Sequence, residues 1–208
     1  MKHTIICIGR QYGSGGREIG EKLAQRLKIP CYDKLLVKKT AEQSGLGEAF
    51  IQQKEETPAN SMWFLSGNPL VDSAGIATAF YSGSQMTYDA ERAVIKQLAE
   101  KGNCVIVGRC ASAILRGQDI LSVFVYADEM DRNRRVMQRN GLAAKEANER
   151  IRYIDRMRRQ YFDFYADAKW GQPESYDLML SSSRFGINGC VALILAGLEQ
   201  MKEGGSHE

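Results

Sequence analysis

The chain has 208 residues, of which 44% are hydrophobic and 25% are charged, as in an ordinary globular protein with one large core. Its formal charge of +3 argues against extensive binding of nucleic acid. No apolar run approaches the roughly 20 residues that cross a bilayer, and five scattered cysteines without a C-x-x-C pair argue against a disulfide framework or a zinc site. We therefore expect a reduced, cytoplasmic protein without a membrane partner.

Short β-branched runs alternate with helical patterns along the chain. Residues 4–8 are almost all apolar, as in a strand buried on both faces, and a glycine-rich turn follows them. From Arg17 the apolar residues recur every three or four positions, which predicts a helix, and residues 29–32 return to an extended segment. Further strands are predicted at Cys104–Val107, Leu121–Tyr126 and Leu178–Ser181, and further helices at residues 34–44, 89–100, 129–140, 145–168 and 191–202. This order predicts an α/β fold in three layers, with a parallel sheet flanked by helices.

The segment 57–84 interrupts this alternation. It contains prolines, glycines and serines around an apolar cluster at residues 62–65. Two interpretations fit it: the cluster caps a substrate pocket, or the segment is a surface loop whose aromatic side chains pack on the core.

The glycine-rich turn between the first strand and the first helix predicts a phosphate-binding site. Glycines let the backbone approach an anion closely, and the N-terminus of the helix adds partial positive charge. Against the pattern G-x-x-x-x-G-K-[ST], Arg10 replaces the first glycine, Gly16 the lysine and Arg17 the hydroxyl residue. Arg17 or Arg10 can supply the missing charge; the alternative is an ordinary turn that needs a flexible backbone. The predicted phosphate-binding residues are Gly13, Ser14, Gly15, Gly16, Arg17 and Glu18.

Arginines supply the second signal. Nine of them lie between Arg132 and Arg159, and phosphoryl transfer requires positive charge that arrives after the substrates are bound. Arg152, Arg156 and Arg159 share one helical face, which predicts an arginine-bearing lid; the alternative is a solvated helix held by ion pairs. Arg109 ends a predicted strand at the edge where open α/β sheets bind ligands, or else forms a structural ion pair.

The motifs together resemble the cytidylate-kinase-like family of P-loop proteins. The resemblance rests on residues 9–19, 32–34, 105–109, 123–128, 170–171 and 176–178, and it covers most of the chain. It implies a single nucleoside monophosphate kinase-like domain over residues 1–208, with an acceptor-binding helical region at about 34–102 and a lid at about 140–170. It also implies that Asp33 and Asp128 contact the acceptor nucleotide and that Arg109 binds the acceptor phosphate.

On this basis we expect phosphoryl transfer from ATP, with Mg²⁺, to a small acceptor such as CMP or dCMP. Small nucleotides are then the partners, no metal site belongs to the protein itself, and catalysis consists of positioning and charge neutralisation. Two alternatives remain: a kinase of the same fold for another small acceptor, and a non-catalytic nucleotide sensor. The expected catalytic residues are Arg17, Arg109, Arg152, Arg156 and Arg159.

Overall fold

The computed structural model describes residues 3–33 and 73–204, together with Glu42 and Gly45. The predicted helix 34–44 and residues 57–72 of the interrupting segment lie outside this range, Glu42 apart. Five parallel strands form one sheet in the order β2-β3-β1-β4-β5. The strands are β1 Ile5–Arg10, β2 Cys31–Tyr32, β3 Cys104–Val107, β4 Leu121–Tyr126 and β5 Leu178–Ser181.

Helices cover both faces of this sheet. They are α1 Gly16–Leu27, α2 Ser73–Lys101, α3 Ala111–Ile114, α4 Glu129–Asn140, α5 Ala144–Tyr165 and α6 Ser182–Gly204, and a short 3₁₀ turn spans Pro173–Ser175. None of the helices in the described ranges is sufficiently long and apolar to span a membrane.

The core is divided by the sheet because side chains alternate between its faces. Ile6 and Ile8 of β1 point to one side and pack with α1 and α6, as Leu23 and Ile194 illustrate. Cys7 points to the other side, where α2 and α5 cover the sheet. The predicted three-layer α/β arrangement is confirmed, and all five strands bring their carboxyl ends to one edge.

Helix ends differ from the sequence prediction in two places. The helix predicted at 89–100 begins at Ser73, because its first turns are rich in small and polar residues and carry no apolar period. The helix predicted at 191–202 extends over Ser182–Gly204, with a non-helical break at Gly186, where φ is 65° and ψ is 175°. The short helix α3 was not predicted, since four residues are too few for a periodic pattern.

Helix α1 lies close to the sheet at Gly20. A Cβ atom at this position would lie 2.7 Å from Cγ2 of Val107 and 3.3 Å from Cδ1 of Ile8, and both side chains are buried. Gly20 therefore lets the helix that begins at the glycine-rich turn pack directly on β1 and β3.

We predict that Gly20→Ala destabilises the protein, although alanine is the better helix former. Helix propensity favours alanine by about 1 kcal/mol, whereas forcing a methyl group into a packed core costs about 1–3 kcal/mol. The expected net loss is about 1 kcal/mol, or a melting temperature about 2–4 °C lower. Gln25→Ala, on the exposed side of α1, is the matched control. A rise in melting temperature for Gly20→Ala would contradict the prediction.

Candidate functional site

The glycine-rich turn joins the carboxyl end of β1 to the start of α1. Gly13 and Gly15 have φ angles of 79° and 80°, in the left-handed region that favours glycine. A Cβ on Gly13 would lie 2.9 Å from the carbonyl oxygen of Arg132, and one on Gly15 would collide with the side chain of Ile187. The turn is thus enclosed by α4 on one side and α6 on the other.

Hydrogen bonds from neighbouring elements fix the turn. The Ser14 hydroxyl donates to the Gln11 carbonyl at 2.8 Å, and the Ser182 hydroxyl donates to the Ser14 carbonyl at 2.6 Å. The side-chain oxygen of Gln11 accepts from the Ala127 amide at 3.1 Å. Because Ser14 is fully buried and its hydroxyl is engaged within the turn, its side chain faces the turn's own backbone. The predicted phosphate-binding role of Ser14 has no support from the direction of this hydroxyl.

The start of α1 presents backbone N–H groups to the edge of the sheet. The first hydrogen bond of the helix runs from the Ile19 amide to the Gly15 carbonyl at 3.0 Å. The amides of Gly16, Arg17 and Glu18 precede it, and therefore have no acceptor within the helix. Amides in this position form the kind of site that binds anions.

Asp33, a predicted acceptor-binding residue, lies beside residues of the glycine-rich turn that are predicted to bind phosphate. It follows β2, and its carboxylate lies 3.1 Å from Nε of Arg17 and 3.7 Å from Nη2 of Arg10. Its side chain is 17% exposed, against 44% for Arg17. A residue expected on the acceptor side is therefore in contact with the glycine-rich turn.

Asp128 lies elsewhere. It follows β4 at the start of α4, its side chain is exposed, and its amide donates to the Ser183 hydroxyl at 2.9 Å. Strands β2 and β4 are separated by β3 and β1, so three strand spacings, about 14 Å, divide the two strand ends. The structure does not bring Asp128 together with Asp33.

Arg109 belongs to a buried network of three side chains. Its guanidinium forms an ion pair with Glu91 of α2, and the Tyr161 hydroxyl of α5 donates to the other oxygen of that carboxylate at 2.9 Å. Only 7% of the Arg109 side chain and 2% of the Glu91 side chain are exposed. The network therefore connects the end of β3 with helices on the same face of the sheet.

Burial changes the proton affinities in this network. It lowers the pKa of Arg109 to about 10, so the guanidinium stays charged at neutral pH. Burial also raises the pKa of the Glu91 carboxyl, and the hydrogen bond from Tyr161 opposes that rise. The guanidinium in contact with the carboxylate favours its charged form as well, since a buried cation requires a counter-charge.

The arginine face chosen from sequence does not contact the turn. Arg152, Arg156 and Arg159 lie on the exposed side of α5, where Arg152 is 3.9 Å from Glu129 and Arg159 lies over the Trp170 ring. The reason is that the apolar stripe of α5, not its arginines, decides which side packs inward. In this structure the arginine-bearing face therefore lies away from the glycine-rich turn, and its expected role as a lid stays a prediction.

A different side of α5 holds the turn. Nη1 of Arg158 donates to the Arg10 carbonyl at 3.3 Å, and Asp155 accepts the Tyr12 amide at 2.7 Å. Asp155 also pairs with Arg132 of α4 at 2.8 Å. Sequence reasoning missed Arg158 and Asp155 as contact residues, although Arg158 lies four positions after the apolar Ile154, and this spacing indicates the inward side.

A cavity lies where these elements meet. It has a volume of about 60 Å³, and its lining includes Arg10, Arg109, Arg158, Tyr161 and Trp170. That volume holds a few water molecules, whereas small-molecule pockets usually measure about 300–1,000 Å³. Within the described ranges, no group of three or more His, Cys, Asp and Glu residues is arranged to hold a metal ion.

Comparison with known proteins identifies relatives among cytidylate kinases. The sequence profile of the cytidylate kinase-like family matches residues 5–184. A cytidylate kinase of Thermococcus kodakarensis is 28% identical over 111 residues, which are 52% of this chain and 56% of that protein. The chain thus spans little more than half the length of that relative. A cytidylate kinase of Pyrococcus horikoshii is 23% identical over 199 residues, covering 95% of this chain and 89% of its own.

Solved structures give the same fold. An uncharacterised protein from Eubacterium ventriosum is 27% identical, with a TM-score of 0.69 over 94% of this chain and 98% of its own. The shikimate kinase from Bacteroides thetaiotaomicron superposes with a TM-score of 0.51 over 94% of this chain and 98% of its own. At 14% identity the second likeness concerns the fold alone.

The Glu91–Arg109 pair gives a stability prediction. Glu91→Gln removes the carboxylate that pairs directly with the buried Arg109, so we expect a free energy of unfolding lower by about 3–5 kcal/mol. Tyr161→Phe removes one hydrogen bond to a charged group, and we expect a loss of about 1.5–3 kcal/mol. Denaturant unfolding at pH 7 measures both. Glu100→Gln, on the exposed side of α2, is the control, and the prediction fails if Glu91→Gln stays within about 1 kcal/mol of it.

Proposed function

The chain belongs to the cytidylate kinase-like family, and we propose that it transfers the γ-phosphoryl group of ATP to a small acceptor, with a nucleoside monophosphate of the CMP or dCMP type as the first candidate. One observation carries the proposal. A glycine-rich turn at the carboxyl end of β1 leads into a helix N-terminus, and Arg10, whose stem packs against Gly16, also lines a cavity with Arg109 and Arg158. Phosphate-binding amides and buried cations thus meet where two phosphorylated substrates must approach each other.

On the donor side, the amides of Gly16, Arg17 and Glu18 hold the phosphates of ATP. They need no reorganisation during the reaction, which is the usual source of electrostatic catalysis. Arg17 lies at the first turn of the same helix and adds a guanidinium that can leave Asp33 for a phosphate oxygen, since it is half exposed. Gly13 and Gly15 keep the turn in the conformation that presents these amides.

On the acceptor side, Asp33 and Arg109 hold the second nucleotide. Arg109 lines the cavity and binds the acceptor phosphate, while the carboxylate of Asp33 accepts hydrogen bonds from the acceptor's base or sugar. Asp128 lies about three strand spacings away, so it contributes to acceptor binding only by a rearrangement around α4. The names of the relatives from Thermococcus kodakarensis and Pyrococcus horikoshii support a cytidine nucleotide as acceptor.

Mg²⁺ accompanies ATP in this proposal, bound to phosphate oxygens and water. Such a metal needs only one or two protein ligands when phosphates carry it. The Ser14 hydroxyl is engaged with the Gln11 carbonyl and Arg17 replaces the usual hydroxyl residue, so we assign the metal no residue of this chain. A cytoplasmic location agrees with ATP as substrate and with the five cysteines, all of which are free.

The test is ADP release from Mg-ATP, measured with CMP, dCMP, UMP, AMP and GMP in turn. We expect CMP or dCMP to raise the rate well above the rate without acceptor. Gly15→Val is the control for contaminating kinases, because its side chain would collide with Ile187 at a φ of 80°, and turnover must disappear. A flat panel combined with measurable ATP binding would favour another small acceptor or a nucleotide sensor.

A second prediction concerns the arginines of α5. Arg158 lines the cavity and contacts the turn, whereas Arg152, Arg156 and Arg159 reach the phosphates only if α5 moves. We expect Arg158→Ala to lower kcat by about 100-fold or more. Arg156→Ala removes the same charge two residues earlier, on the exposed side of the same helix, and should lower kcat less. A larger loss of kcat for Arg156→Ala would instead favour the arginine-bearing lid expected from the sequence.

A further inference from the structure

Gly16 and Arg10, two residues of the turn that depart from the P-loop pattern, lie directly against each other. Gly16 stands where the pattern has lysine, and a Cβ at this position would lie 2.6 Å from Cβ of Arg10 and 3.2 Å from its Cγ. Contacts under about 3 Å do not occur between such atoms, and Val125 closes the space from another side at 3.3 Å. No side chain, lysine included, fits at position 16 while Arg10 is present. Arg10 itself replaces the first glycine of the pattern.

The Arg10 side chain extends from Gly16 toward the end of β3. Its guanidinium lies directly against Cα of Gly108, where any Cβ would overlap it, and its Nη2 is 3.7 Å from Asp33. The side chain is 17% exposed and lines the cavity with Arg109 and Arg158. Its stem therefore begins beside the N-terminus of α1 and its charge ends beside the cavity.

We propose that Arg10 is the phosphate-binding cation of this turn, supplying from the first glycine position the charge that the pattern takes from lysine. This inference rests on the proposed nucleotide substrate. Arginine keeps its charge when partly buried and binds phosphate oxygens through two N–H groups. Asp33, which follows β2, holds the guanidinium of Arg10 in place. The same carboxylate also contacts Arg17 of α1.

Arg10 serves this role better than Arg17 because of where each side chain is held. Arg17 is 44% exposed and also pairs with Glu21 on its own helix at 3.0 Å. Arg10 is enclosed between Gly16 and Gly108, so its position is set by packing, and a partly desolvated cation interacts more strongly with a phosphate. The competing explanation is that Arg10 only links the turn to Asp33.

Nucleotide affinity without acceptor tests the proposal on the full chain. Calorimetric titration with ATP should give an affinity about 10- to 100-fold weaker for Arg10→Ala than for the wild type. Arg26→Ala, an exposed arginine on α1, changes the net charge equally and should bind ATP like the wild type. Unchanged ATP affinity in Arg10→Ala would overturn the proposal and leave Arg10 as a structural link.

The steric exclusion gives a sharper second test. We expect Arg10→Gly and Gly16→Lys each to weaken ATP binding by about tenfold or more, and the double variant, which restores the glycine and the lysine of the pattern, to recover most of the lost affinity. A double variant that binds ATP no better than Arg10→Gly would overturn the proposal that Arg10 takes the place of the lysine. Thermal unfolding of each variant separates weak binding from loss of fold.

These outcomes remain distinguishable from failure of the proposed function. Wild-type ATP binding without turnover on any acceptor would contradict the kinase and leave the Arg10 comparison valid, because that comparison measures binding alone. Absence of ATP binding in the wild type would overturn both.

Discussion

Buried arginines need a counter-charge, and this requirement organises the carboxyl edge of the sheet. Arginine is rarely buried unless it is paired, because removing a charge from water costs several kcal/mol. In the described part of the chain, Arg109 and Arg132 are largely buried and Arg10 is 17% exposed. Each is paired, and each pair joins two different elements: the turn to the end of β2, the end of β3 to α2, and α4 to α5. The pairs are Arg10–Asp33, Arg109–Glu91 and Arg132–Asp155. The site is therefore built from charges that hold its walls together, and two of the arginines also line the cavity.

The glycines of the turn are constrained by packing on every side. Gly13 is limited by the backbone of α4, Gly15 by Ile187 of α6, and Gly16 by the side chain of Arg10. A turn of this kind offers its amides to an anion because side chains are excluded from it, so packing and phosphate binding impose the same residue. The glycine pattern is therefore recognisable although the lysine and the hydroxyl residue of the P-loop pattern are absent.

The features that could be predicted from the sequence are those determined by residues close together along the chain. The strands were predictable because runs such as Cys104–Val107 are apolar throughout and buried on both faces, and the turn was predictable because three glycines fall within residues 13–16. The partners of the arginines were not, since Glu91 lies 18 residues from Arg109 and a sequence pattern does not indicate which elements meet. The orientation of α5 is set by its apolar stripe, in which Ile151, Ile154 and Tyr161 pack inward, and the arginines alone do not indicate it.

The contacts of α5 join three elements around the glycine-rich turn. Asp155 accepts a hydrogen bond from the Tyr12 amide and pairs with Arg132, so the helix, the turn and α4 are joined through one carboxylate. A hydrogen bond to a charged group contributes about 1.5–3 kcal/mol, which nucleotide binding can offset. A movement of α5 relative to the turn would break these contacts and would change the surroundings of the arginines on the outer side of α5. The positions of the turn, of α4 and of the arginine-bearing helix are therefore linked through the Asp155 carboxylate.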